Sequence, residues 1–146
     1  MVRVFLVDDH ETVRDGLREL LEAHGDLEVV GEAGTAEEAR SQIPTSRPNV
    51  AVLDVRLPDG TGVEVCRGIR SQYPDIHCLM LTAFADDDVL LVSAAAGASG
   101  YVLKRIEGGD IVDSVRLAAA SEMLFDAEIR ARAARHRDGA PSPELS

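Results

Sequence analysis

Five polar residues of this 146-residue chain could carry chemistry together: Asp8, Asp9, Asp54, Thr82 and Lys104. Each closes or follows a short apolar run, namely VRVFLV before Asp8-Asp9, VAVL before Asp54, HCLML before Thr82 and YVL before Lys104. Three carboxylates held within a few ångströms repel, and one of them would ordinarily keep its proton. A hard divalent cation such as Mg²⁺ removes that conflict, because it takes oxygen ligands and retains some of its waters. The same ion neutralises charge as a carboxylate approaches a phosphoryl group. The ammonium of Lys104 and the hydroxyl of Thr82 supply further partners for phosphoryl oxygens. The set predicts phosphoryl transfer to an aspartate, giving an acyl phosphate. Lys104 is also the chain's single lysine beside 14 arginines, and a compact ammonium does a different job from a guanidinium fork.

The elements that must position these residues are legible as apolar runs alternating with helical patterns. The runs are VRVFLV (2–7), LEVVGEA (27–33), VAVLDV (50–55), HCLMLTA (77–83) and GYVLK (100–104). Several are continuous rather than alternating, as expected of strands buried on both faces of a parallel sheet. Val13, Leu17, Leu20 and Leu21 mark one face of a first helix. Thr35-Ala-Glu-Glu38 reads as a capping box opening the second, which Pro44 is expected to close. Pro58-Asp-Gly60 is a turn, and Val65, Ile69 and Tyr73 stripe a third helix that Pro74 stops. A fourth, about 86–96, is apolar on more than one face, so it is expected to cover a partner surface as well as the core. The fifth, about 108–121, groups Ile111, Val112, Val115 and Ala119. Parallel strands need crossover helices, so the (βα)5 alternation predicts an open, doubly wound α/β sheet. Ligands of such sheets bind at the carboxyl ends of the strands. Four of the five strands end in the polar residues above, and the second ends in the bland Glu32-Ala33-Gly34.

After Met123 the character changes. Residues 124–137 predict one additional helix, which Asp126 could cap, and 138–146 read as a Pro/Ser/Gly linker. Residues 1–125 carry 11 basic and 22 acidic side chains, while 126–146 carry 4 of each. So acidic a body repels a phosphate backbone, which argues against direct nucleic-acid binding. No apolar run approaches the ~18 residues of a membrane span, and the N-terminus lacks a signal-peptide pattern, so a cytoplasmic location is expected. Cys66 and Cys78 have no metal-ligand spacing and read as buried free thiols.

VFLVDDHETVRDGL, VAVLDVRLPDGTGVEVC, MLTA and GYVLK resemble, in order and spacing, the landmarks of response-regulator receiver domains over residues 1–125. The subfamily resembled is the NarL/FixJ type, whose receivers precede a DNA-binding helix-turn-helix. The resemblance implies a flavodoxin-like fold with strand order 2-1-3-4-5, Asp54 as phosphoacceptor, and Mg²⁺ (or Mn²⁺) on Asp9, Asp54 and the Arg56 main-chain carbonyl. Asp8 would act on the metal largely through water. Thr82 and Lys104 would bind phosphoryl oxygens, and Tyr101 would be an aromatic switch that turns inward as Thr82 moves. The implied partners are a sensor histidine kinase and a second copy on activation, with DNA reached only through an output domain beyond Ser146. The division expected is therefore 1–123 receiver, 124–137 linker helix and 138–146 flexible linker to that domain. Such a chain is not a conventional turnover enzyme.

Two features depart from, or vary within, the pattern. Receivers often have proline after the lysine, whereas this chain has Arg105, and a cis Lys104–Arg105 peptide would cost about 3 kcal/mol without it. Arg56 and Phe84 stand where members of the family tune phosphoryl lifetime.

Plainer readings compete at each position. Asp8-Asp9 could cap the first helix, Thr82 could be an ordinary strand residue, and Tyr101 could fill core. His10 is expected to face solvent rather than ligate, and Asp86-Asp87-Asp88 to form the charged first turn of helix 4. The arginines after 130 read as a solvated face. Among other functions, a haloacid-dehalogenase-type phosphatase wants Asp-x-Asp after the first strand, and this chain has Asp8-Asp9-His10. A flavodoxin needs a hydroxyl- and glycine-rich phosphate loop after the first strand, where the carboxylates of Asp8-Asp9 would repel phosphate. A phosphorylation-independent interaction module would not need Asp9, Asp54, Thr82 and Lys104 together.

Overall fold

From the first strand to the fifth helix the chain alternates the strands of one sheet with helices, and the computed structural model describes residues 1–83, 86–104 and 108–137. In order they are β1 (Val2–Val7), α1 (Glu11–Glu22), β2 (Leu27–Ala33), α2 (Ala36–Ser46), β3 (Val50–Asp54), α3 (Gly62–Gln72), β4 (His77–Thr82), α4 (Asp87–Ala95), β5 (Gly100–Leu103), α5 (Gly108–Ala119) and α6 (Ala127–Arg137). The five strands form one parallel sheet in the order β2-β1-β3-β4-β5, which is the flavodoxin-like receiver arrangement expected. A two-stranded ribbon, Arg56–Leu57 against Gly60–Thr61, closes around the turn at Pro58-Asp59.

The apolar runs are continuous because both sheet faces are covered. Val4, Leu6, Val52, Leu79, Leu81 and Val102 pack with Leu17 and Leu21 of α1 and with Ile111 and Val115 of α5. The residues between them, Phe5, Val7, Ala51, Leu53 and Met80, pack with Ile43 of α2, Cys66 and Ile69 of α3, and Ala94 of α4. Burying a single such Leu, Ile or Phe side chain contributes about 1.5–3 kcal/mol. Cys66 and Cys78 are free and fully buried, as expected. Among the described residues no helix is long and apolar enough to cross a membrane.

Pro44 does not close α2. The helix continues to Ser46 and ends at Arg47, whose left-handed φ of 50° turns the chain ahead of Pro48. Proline's fixed φ suits a helix and costs one backbone bond there, and in the last turn that loss is tolerated while Arg47 N–H still reaches the Ile43 carbonyl (3.0 Å). At helix 4, Asp86 is the cap rather than part of the first turn, its Oδ1 accepting from Val89 N–H at 2.8 Å.

The additional helix is present as α6, opened by Asp126, which accepts from Ile129 N–H at 2.9 Å. To reach it the chain passes the edge of β5, where Leu124 N–H bonds the Ser99 carbonyl (2.7 Å). Phe125, Ile129 and Ala133 then join the core on the α4 side of the sheet. Phe84, the Lys104–Arg105 peptide and the linker 138–146 lie outside the described residues.

Candidate functional site

The alternation that buries Val4 and Leu6, Val52 and Val102 on one face continues past the strand ends to Asp8, Asp54 and Lys104. These three meet. Lys104 Nζ donates to Asp54 Oδ2 at 2.7 Å and lies 3.2 Å from Asp8 Oδ2. Asp8 is fully buried and Asp54 is 3 % exposed. Lys104 is carried to them from the edge strand by the β4–β5 pairing, its N–H bonding the Thr82 carbonyl at 2.8 Å.

The remaining contacts hold the carboxylates in place. Asp54 Oδ1 accepts from Arg56 N–H (3.2 Å), and Asp8 Oδ1 accepts from His10 N–H (2.8 Å). Asp9 is partly exposed, its Oδ1 3.0 Å from His10 Nδ1. Neither Asp8 nor Asp9 caps α1: the cap position belongs to His10, whose side chain makes no cap bond. His10 is mostly exposed, as expected, yet its ring leans over both acids, with Nδ1 also 3.2 Å from Asp8 Oδ1. A cavity of about 430 Å³ opens above these groups, lined among others by Asp9, Asp54, Arg56, Thr82 and Lys104. The structure thus gathers Asp8, Asp9, Asp54, Thr82 and Lys104 at one strand-end rim.

Burial is the main cause that raises the Asp54 carboxyl above the ordinary carboxylate range; the Lys104 hydrogen bond opposes it and the charge of Asp8 adds to it. Burial works to lower the Lys104 ammonium, but the hydrogen bonds and charges of Asp54 and Asp8 outweigh it, and the net shift is upward. Two carboxylates therefore share one ammonium, which leaves the site short of positive charge. One ligand atom from each of Asp8, Asp9, His10 and Asp54 lies within 4.8 Å of the others. Asp8 Oδ2 is buried and, among the described residues, has no hydrogen-bond partner in proper geometry, only the Lys104 ion pair. Hard oxygens, one of them underused, in an anionic cluster fit a divalent cation of the Mg²⁺ type.

Tyr101 lies outside this cluster. It is half-buried and stacks on Phe125 with ring centroids 6.2 Å apart, so it touches the segment leading into α6.

Three supports of the site were not evident in the sequence. The end of β2 is not bland: Glu32 Oε1 accepts from Arg14 Nε (3.1 Å), its Oε2 pairs with Arg18, and Arg14 Nη1 donates to the Asp8 carbonyl (2.5 Å). Two arginines four apart on one face of α1, opposite a strand-end glutamate, were the available signal. Asp59 accepts from Ala36 N–H (2.7 Å) and Glu37 N–H (3.0 Å), tying the ribbon turn to the start of α2. Gly62 sits where a Cβ would lie 2.2 Å from the Asp54 carbonyl oxygen.

The family model described as response regulator receiver domain matches residues 4–116. The chain is 53% identical over 126 residues to the DNA-binding transcriptional activator DevR/DosR of Mycobacterium tuberculosis, covering 86% of this chain and 58% of that protein. It is 36% identical over 128 residues to the response regulator VraR of Staphylococcus aureus, covering 88% and 61%. The chain thus spans about three fifths of the length of these curated relatives. Among solved structures, a LuxR-family response regulator from an Aurantimonas species superposes with a TM-score of 0.81 at 33% identity, covering 94% of this chain and 99% of that one. The receiver domain of a NarL response regulator from Mycobacterium tuberculosis gives 0.79 at 32%, covering 83% and 98%.

Proposed function

This chain belongs to the response regulator receiver domain family of two-component signalling, and we propose that Asp54 is the residue it phosphorylates. The observation that carries the assignment is the meeting of Asp54, Asp8 and the single lysine, at 2.7 and 3.2 Å, beside Asp9 and Thr82 on one cavity. Mg²⁺ (or Mn²⁺) held by Asp9, Asp54 and the Arg56 carbonyl, with Asp8 acting largely through water, would offset the negative charge of both reactants.

The donor is a phosphohistidine of a sensor kinase. A carboxylate oxygen of Asp54 forms the new O–P bond while the donor's P–N bond breaks; the imidazole nitrogen keeps the electron pair and takes up a proton. Lys104 exchanges a carboxylate partner for a phosphoryl oxygen, and the Thr82 hydroxyl donates to another. The raised carboxyl of Asp54 must be ionised to attack, and Lys104 favours that form.

The response is a population shift toward the arrangement whose loops reach the phosphoryl group. Thr82 moves toward it, Tyr101 follows inward and leaves Phe125, and the face around α4, β5 and α5 changes to favour a homodimer. We assign 1–123 to the receiver, 124–137 to a linker helix and 138–146 to a flexible linker toward a helix-turn-helix output domain, in a cytoplasmic DNA-binding transcription regulator. The name and greater length of the DevR/DosR relative support that assignment.

The test is intact mass after incubation with Mg²⁺ and acetyl phosphate. The wild-type chain gains one phosphoryl group, loses that gain when Mg²⁺ is chelated, and gains nothing as Asp54→Asn. Undiminished labelling of Asp54→Asn would contradict the assignment, and an unlabelled wild type would favour a phosphorylation-independent module.

A further inference from the structure

We infer that Arg14 is a positioning residue for the metal site, acting with Glu32 through the main chain of Asp8. The inference rests on the reading of Asp8, Asp9 and Asp54 as the residues that hold the cation. Asp9 is the exposed member of that set, with its side chain 34% accessible and no strand beneath it. Its direction is set by the peptide that precedes it. That peptide is planar, so pinning the Asp8 carbonyl oxygen also orients the Cα of Asp9.

Arg14 does the pinning. Its Nη1 donates to the Asp8 carbonyl at 2.5 Å while its Nε donates to Glu32 Oε1 at 3.1 Å. The side chain is only 18% exposed, and Glu32, at 15%, is held from its other oxygen by Arg18. A guanidinium serves here because one rigid fork spans two acceptors on different elements. Other restraints on the turn are the Asp8 N–H bond to the Ala33 carbonyl (3.1 Å), the His10 N–H bond to Asp8 Oδ1 (2.8 Å) and the exposed His10 ring, whose Nδ1 lies 3.0 Å from Asp9 Oδ1. Gly34 leaves room for the fork, since a Cβ there would lie 3.2 Å from Arg14 Nη1.

The sign of the effect separates positioning from charge. A cation beside a cation site weakens metal binding by simple repulsion, so removing Arg14 would tighten it if charge were all that mattered. Loss of positioning weakens it instead, and removal of outer-shell partners elsewhere costs ~10–100-fold in metal affinity.

The experiment is calorimetric titration of Mg²⁺ into the folded wild type, Arg14→Met, Arg14→Lys and Glu32→Gln, with metal-free unfolding midpoints measured alongside. Arg14→Met should bind Mg²⁺ about 10–100-fold more weakly. Arg14→Lys should recover only part, because an ammonium reaches the carbonyl or Glu32 but not both. Glu32→Gln should also weaken binding, by loss of its own charge as well as of the pair, whereas Arg14→Lys keeps the charge and so covers the case in which Arg14→Met does not fold. Binding unchanged or tightened in the folded variants, whatever the midpoints do, would overturn the inference. A wild type that binds no Mg²⁺ would instead remove the metal reading on which it rests.

Discussion

Gly62 shows how closely the site is packed at the scale of one residue. It begins α3 directly behind Thr61, whose hydroxyl caps the helix by accepting from Glu64 N–H at 3.2 Å. A Cβ at position 62 would meet the Asp54 carbonyl oxygen at 2.2 Å and its carbon at 3.0 Å. Both are main-chain atoms, so no side-chain rotation relieves the clash. Gly62→Ala should therefore destabilise by about 1–3 kcal/mol, as overpacking does, and should slow phosphorylation from acetyl phosphate by displacing Asp54. Thermal unfolding and the rate of mass gain check this; a variant matching wild type in both would show that α3 can retreat at no cost. The chemical residues were legible because their types are costly to bury: Asp8, Asp54 and Lys104 need one another. Arg14, Glu32 and Gly62 were not, because a surface-type ion pair and a glycine take their meaning only from what folding places beside them.

At the scale of elements, Asp59 ties the ribbon that follows β3 to the start of α2. The backbone N–H groups of Ala36 and Glu37 hold its carboxyl below the ordinary carboxylate range. A carboxyl depressed in the folded state contributes stability that is present above its unfolded value, about 3.9, and is lost as pH falls through the folded value. Asp59→Asn, with one acceptor oxygen in place of two, should lower the unfolding midpoint at neutral pH, and the gap to wild type should close on acidification. Midpoints measured from neutral pH downward decide it, and a gap independent of pH would exclude this linkage. The strands and helices were legible from apolar runs, the Thr35–Glu38 box and Asp126. Pro44 is no stop, because its φ is compatible with the final helical turn. The role of Asp59 needed the distance from the ribbon to α2, which periodicity does not carry.

At the scale of the whole molecule, α6 occupies a place the sequence did not reveal. The fourth helix is expected to cover a partner surface as well as the core, and Ile129 and Ala133 of α6 join the core cluster on its side of the sheet. The connection is tight: a Cβ at Gly100 would lie 2.6 Å from Leu124 Cβ, and Tyr101 stacks on Phe125. If Tyr101 moves inward on phosphorylation, the seat of α6 loosens. Beryllofluoride, a phosphoryl mimic, should then reduce amide-hydrogen protection over 127–137 and shift the chain toward a dimer on sizing. Unchanged protection together with an unchanged profile would count against this coupling. The helix itself was legible, but its position was not, because its few apolar residues suit any uncovered face.

On this reading the carboxylate of Asp54, and no other, takes the phosphoryl group. Borohydride reduces an aspartyl phosphate to homoserine, so the chain should be phosphorylated with Mg²⁺ and acetyl phosphate, reduced, digested and mapped by mass spectrometry. Homoserine at position 54, absent without Mg²⁺, is the predicted result. Homoserine at Asp8 or Asp9 with none at position 54 would contradict the account.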